Sequence, residues 1–107
     1  MKSPITTHIL DTSKGTPAQG VAVELLFRNG ETWESLANAK TDNDGRLLDW
    51  FSGDLKKGQY RLRFETGSYQ KGFYPQVQID FEVQNTKEHY HVPLLLNPFG
   101  YSTYRGS

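Results

Sequence analysis

The chain has no cysteine among its 107 residues, which removes disulfide staples, thiolate nucleophiles and cysteine-ligated zinc at once. It also lacks any apolar run of the length that a bilayer-spanning helix needs. The opening residues, Met1-Lys2-Ser3-Pro4, contain no hydrophobic segment of the kind that marks a secretory leader. A soluble, cytoplasmic protein is the expectation. Neither charge is in excess: 12 Lys plus Arg face 12 Asp plus Glu, so no broad field draws the molecule to nucleic acid or to an anionic membrane. A charged ligand would have to be held by a local cluster. Two halves would each be too small to bury a stable core. Residues 1–107 therefore read as one domain, without repeat, low-complexity stretch or linker.

What is there is mostly a period of two. Across residues 76–84, Val77, Ile79, Phe81 and Val83 alternate with Gln78, Asp80 and Glu82, the pattern of a half-buried strand. Tyr60, Leu62 and Phe64 alternate with Arg61, Arg63 and Glu65, and Val21, Val23, Leu25 and Phe27 form a similar face. These read as antiparallel strands with one wet side. Turn residues separate the runs: Ser13-Lys14-Gly15-Thr16-Pro17, Arg28-Asn29-Gly30, Asp42-Asn43-Asp44-Gly45 and Lys56-Lys57-Gly58. Strands at such short intervals predict a β-sandwich, and only residues 67–73 offer a helix, of one or two turns. Pro93 conflicts with the strand pattern of residues 90–96, because it cannot donate to a ladder; a bulge or a locally unpaired edge would accommodate it. A last strand is expected at 101–105.

The same alternation sorts side chains by face. Ile5 and Ile9 share one side of the first strand, and His8 and Leu10 the other. In the penultimate strand Tyr90, Val92, Leu94 and Leu96 share a side, leaving His89, His91, Pro93 and Leu95 opposite. Both His8 and His91 thus point away from the expected core. A surface histidine taken alone is usually only a solvated side chain.

Two blocks at opposite ends of the chain lift them above that reading. His8-Ile9-Leu10-Asp11-Thr12-Ser13-Lys14-Gly15-Thr16-Pro17-Ala18 and Tyr90-His91-Val92-Pro93-Leu94-Leu95-Leu96-Asn97-Pro98-Phe99-Gly100-Tyr101-Ser102-Thr103 together resemble the transthyretin and hydroxyisourate hydrolase family. Intervening turns at Gly45-Arg46, Gly58-Gln59-Tyr60 and Gly67-Ser68-Tyr69 extend the resemblance over nearly the whole chain. It implies an all-β, transthyretin-like, two-sheet antiparallel sandwich with one short helix. The family has a hormone-carrier branch and an enzyme branch, so function rests on particular positions rather than on the fold. His8, Arg46, His91 and the terminal Tyr104-Arg105-Gly106-Ser107 match the enzyme branch; the carrier has lysine, glutamate and threonine at the first three. Asn97 departs from the more usual serine.

The resemblance further implies hydrolytic opening of a cyclic amide in 5-hydroxyisourate, without metal or other cofactor, by a homotetramer. Two dimers would pack the outer sheet faces together, with active sites in clefts at the dimer–dimer interface. Such packing would cover Leu10, Pro93 and Leu95, which suit water poorly, and edge pairing of the last strand would build each dimer. His91 or His8 would serve as general base, with the other positioning water or returning the proton. Arg46 would clamp the anionic substrate or the oxyanion and favour the neutral form of a nearby histidine. Ser107 with its free carboxylate would close the pocket, while Tyr104, Arg105 and Gly106 carry the tail over the substrate.

Other features read more plainly. His89 and His91 lie two apart on one face, but no third ligand accompanies them, so they do not form a zinc pair. Asp42-Asn43-Asp44-Gly45 lacks the remaining ligands of a calcium loop and is a turn presenting Arg46. Trp33 and Trp50 are packing residues. The rival functions are a transthyretin-type carrier of a small aromatic ligand and a plain adhesive or scaffolding sandwich.

Overall fold

A computed structural model describes residues 2–106; Met1 and Ser107 lie outside the described residues. In chain order the strands are β1 (Ile5–Asp11), β2 (Thr16–Pro17), β3 (Ala22–Asn29), β4 (Thr32–Lys40), β5 (Arg46–Leu47), β6 (Gly58–Phe64), β7 (Val77–Val83), β8 (Tyr90–Asn97) and β9 (Gly100–Thr103), with a single-turn helix α1 (Thr66–Tyr69) between β6 and β7. They form two sheets, one ordered β2-β1-β8-β9 with β5 also on β1, the other β4-β3-β6-β7. The runs read as strands from alternation are β3, β6 and β7, and they pair antiparallel with one another. One pair elsewhere is parallel: β1 runs beside β8 from Ile5↔Tyr90 to Asp11↔Leu96.

The inward-facing residues of both sheets make the core, with Ile5, Ile9, Leu25, Leu62, Phe64 and Leu94 fully buried. Each such side chain contributes about 1.5–3 kcal/mol relative to exposure. β4 has no counterpart in the alternation pattern. It lies at the sheet edge and buries only parts of Leu36, Ala37 and Ala39 against the core, so its sequence needs no clean apolar face. The helix is shorter than the 67–73 expected, because Gln70 is already extended and the Phe73 amide donates to the Pro98 carbonyl at 2.7 Å, drawing the following chain away.

Pro93 sits inside β8 with a locally unpaired edge. Along β8 the β9 ladder runs from Leu94↔Thr103 to Asn97↔Gly100, then lapses until an isolated bridge at His91↔Gly106. The Pro93 carbonyl accepts from Thr103 Oγ1 at 2.8 Å, so it faces β9, and the missing N–H of the same residue falls on that side. The parallel ladder to β1 is therefore untouched. For the same reason the last strand ends at Thr103 rather than at 105, and Tyr104 and Arg105 cross the gap as irregular chain.

Asp11 closes β1. It is fully buried and accepts hydrogen bonds from Ser13 Oγ at 2.6 Å, the Ser13 and Lys14 amides, and Tyr69 Oη at 2.7 Å. Burial alone would raise its pKa, but the bonds from Ser13, Tyr69 and Lys14 outweigh it and hold the carboxyl below its ordinary value. Burial and the Asp11 carboxylate push Tyr69 up to about 12. A depressed carboxyl pKa stabilises the fold above the unfolded value of 3.8, and this stability is lost as pH falls through the folded value. Tyr69→Phe should lower the unfolding free energy by about 1.5–3 kcal/mol, the scale of a hydrogen bond to a charged group, read as a lower urea midpoint near neutral pH.

Candidate active site

The site is built on the outer face of the β1–β8 pair. In the parallel register Thr6 lies beside His91 and His8 beside Pro93, so a single face carries Thr6, His8 and Leu10 from β1 with His91, Pro93 and Leu95 from β8. His8 and His91 are both half-buried there. β5 adds the guanidinium, since antiparallel pairing sets Arg46 directly opposite His8 and directly opposed residues share a face.

The turn before Arg46 explains why it arrives there. Asp42 Oδ1 accepts from the amides of Asp44 and Arg46, each at 2.9 Å, and the Gly45 carbonyl accepts from the Ile9 amide at 2.8 Å. Gly45 has φ +72°, and a Cβ on it would stand 2.6 Å from the Ile9 carbonyl oxygen, so both conformation and space require glycine. Asp42 thus spends a carboxylate oxygen on the amides of its own turn. Among the described residues no group of three His, Asp or Glu is placed to hold a metal ion.

Electrostatics favours neutral imidazoles. Burial, then the Arg46 charge, lowers the pKa of His8, against a hydrogen bond to the Asp44 backbone and the charges of Asp42 and Asp44. Burial, then Arg46, His8, His89 and Lys2, lowers that of His91. A neutral imidazole can take a proton from water near neutral pH. Arg46 brings fixed donors to the same place, suited to an anion or a developing oxyanion.

One residue of this cluster escaped the sequence reading. Thr6 Oγ1 lies 2.7 Å from Nδ1 of His91 and 3.1 Å from Nε2 of His89, and Thr6 is fully buried. Its signal was available in the same alternation, two residues before His8, but required knowledge of the strand register.

The tail divides. The Gly106 amide donates to the His91 carbonyl at 2.8 Å, and a Cβ at Gly106 would meet His91 Cδ2 at 2.6 Å, so the backbone lies directly on the imidazole. Ser107 is outside the described residues. Tyr104 is exposed. The Arg105 guanidinium stacks 4.4 Å over the Tyr90 ring and lies 3.7 Å from Glu88. Both residues border an apolar cavity of about 270 Å³ with Ile79, Phe81, Tyr90 and Val92. Trp50 donates from Nε1 to the Ile5 carbonyl at 2.9 Å, and Trp33 lies under Arg61 at 4.0 Å; both are packing residues.

Residues 5–106 match the model of the HIUase/Transthyretin family. The chain is 47% identical to the 5-hydroxyisourate hydrolase of Caulobacter vibrioides, over 98% of this chain and 99% of that one. Among solved structures, a 5-hydroxyisourate hydrolase from Klebsiella pneumoniae superposes with a TM-score of 0.84 at 42% identity, covering 96% of this chain and 97% of that one. Sea bream transthyretin in complex with thyroxine superposes with a TM-score of 0.90 at 29% identity, covering 97% and 95%.

Because Arg46 depresses both imidazoles, Arg46→Gln should raise the pKa of His8 and of His91 together, measured by histidine NMR titration. Values that stay put would show that the guanidinium does not act on them.

Proposed function

The chain belongs to the HIUase/Transthyretin family, and from that premise we infer that it hydrolyses 5-hydroxyisourate to 2-oxo-4-hydroxy-4-carboxy-5-ureidoimidazoline in urate breakdown. The observation that carries this reading is the meeting of His8, His91 and Arg46 on one sheet face, where burial and then the guanidinium lower the pKa of both imidazoles. A carrier of aromatic ligands has no need of a base held neutral beside a fixed cation.

In the proposed mechanism His91 is the general base. Its Nδ1 is engaged by Thr6, which leaves Nε2 for water. As the water oxygen bonds to the ring carbonyl carbon, its proton passes to that nitrogen, and the oxyanion develops toward Arg46. The C–N bond then breaks, and the departing nitrogen takes a proton from the His91 imidazolium. His8, tied to the Asp44 backbone, orients the water and the substrate. Gly106 covers His91, Arg105 holds the tail through Tyr90 and Glu88, and Tyr104 and Ser107 are assigned to substrate binding. No cofactor enters this scheme.

The whole chain, 1–107, is proposed to work as one domain within a homotetramer, a dimer of dimers with its sites at the dimer–dimer interface. Leu10 and Leu95, adjacent in register and only half-buried, support coverage of this face by a second copy. β9, at the edge of its sheet, supports edge pairing within each dimer. Among the described residues no helix is long and apolar enough to cross a membrane, and a cytoplasmic location is proposed.

Mixing the protein with 5-hydroxyisourate freshly made by urate oxidase should hasten the loss of that compound's absorbance. A carrier would instead slow it. His91→Asn should cut turnover by roughly 100- to 10,000-fold, the range of general-base catalysis, with the oligomer unchanged by size-exclusion chromatography. Near-normal turnover by the folded variant would exclude His91 as the base.

A further inference from the structure

We propose that the Thr6 hydroxyl is a positioning residue which, with His89 behind it, sets which ring nitrogen of His91 carries the proton. The inference rests on the hydrolase reading for its consequence in turnover, but its geometric basis is independent of it. The hydroxyl has one proton and stands between two ring nitrogens, Nδ1 of His91 at 2.7 Å and Nε2 of His89 at 3.1 Å. With one proton and two lone pairs, it can donate to one ring nitrogen while it accepts from the other. The two rings stand nearly parallel, 17° apart with centroids 6.5 Å from each other, and the hydroxyl is the link between them.

That link couples the two tautomers. For His91 to receive a proton at Nε2 its own proton must sit on Nδ1, donating to Thr6. The Thr6 proton is then free to point to His89, whose Nε2 takes it with a lone pair. In the opposite arrangement His89 donates to Thr6, Thr6 donates to Nδ1 of His91, and the His91 proton moves to Nε2, where it blocks the base. No proton is gained or lost between the two arrangements; three N–H and O–H bonds exchange places, so within this coupled pair a bare Nε2 on His91 goes with an accepting His89. Thr6 is fully buried and fixed beside His91 by the parallel register, so no water replaces its hydroxyl at Nδ1. His89 is exposed and needs no other role to account for its place.

The test uses the full-length protein labelled with ¹⁵N at its three histidines, because imidazole ¹⁵N shifts report the tautomer without substrate. At a pH where the rings are neutral, wild-type His91 should carry its proton on Nδ1. Thr6→Val and His89→Phe should each move it to Nε2 and lower kcat at least about tenfold, by analogy with the loss of a hydrogen-bonding partner behind a metal-bound histidine, with KM nearly unchanged. Thr6→Ser should restore both readouts. His89→Phe alters an exposed side chain and keeps the test open if Thr6→Val does not fold. An unchanged His91 tautomer in the folded variants would overturn the proposal, whether or not kcat falls. A wild-type protein that leaves 5-hydroxyisourate untouched would overturn the hydrolase reading alone, since the tautomer shift is read without it.

Discussion

The parallel pairing of β1 with β8 is the constraint on which the remainder depends. It joins the two ends of the chain and sets Thr6 beside His91 and His8 beside Pro93. Side chains alternate with period two, so a slip of one residue in this register would turn β1 relative to β8 and put His8 and His91 on opposite faces of the sheet. The inner face resists such a slip, because the strand that turned would take its inward residues, Ile5 and Ile9 on β1 or Leu94 and Leu96 on β8, out of the core. Burial on one side of the sheet thereby fixes the geometry of the candidate site on the other. The free edge of β1 is shared by β2 and β5, and the second of these delivers Arg46 opposite His8.

Much of this was legible from residues alone. Alternation located β3, β6 and β7 and placed the two histidines on outward faces, because these strands bury one face and wet the other. β4 was not legible, since an edge strand covering only the margin of a core carries a weak apolar signal. The conflict at Pro93 resolved through the direction of its missing donor, which only the identity of the neighbouring strands reveals. Thr6 stayed hidden for a related reason: a threonine in a β-rich sequence is ordinary, and its proximity to two imidazoles comes from residues more than 80 positions away. The tail motif matched a family pattern as a block, yet its members separate in space. Gly106 packs on His91, whereas Arg105 turns to Tyr90 and Glu88.

Charge in the site follows from the same arrangement. A chain with no net charge concentrates one guanidinium against two half-buried imidazoles, so that each imidazole would have to accept its proton beside an existing cation. Asp42, four residues before Arg46, is turned back onto the amides of Asp44 and Arg46, which leaves Arg46 presented rather than neutralised by that carboxylate. Such a cluster suits an anionic, planar substrate and a water molecule poised for deprotonation.

The most direct test of the central claim is a crystal structure with a ring-closed, non-hydrolysable analogue of 5-hydroxyisourate. The account predicts the analogue on the outer face of the β1–β8 pair, hydrogen-bonded to Arg46 and within reach of the ring nitrogens of His8 and His91. An analogue bound instead in the apolar cavity between Phe81 and Tyr90, with the histidines untouched, would contradict it.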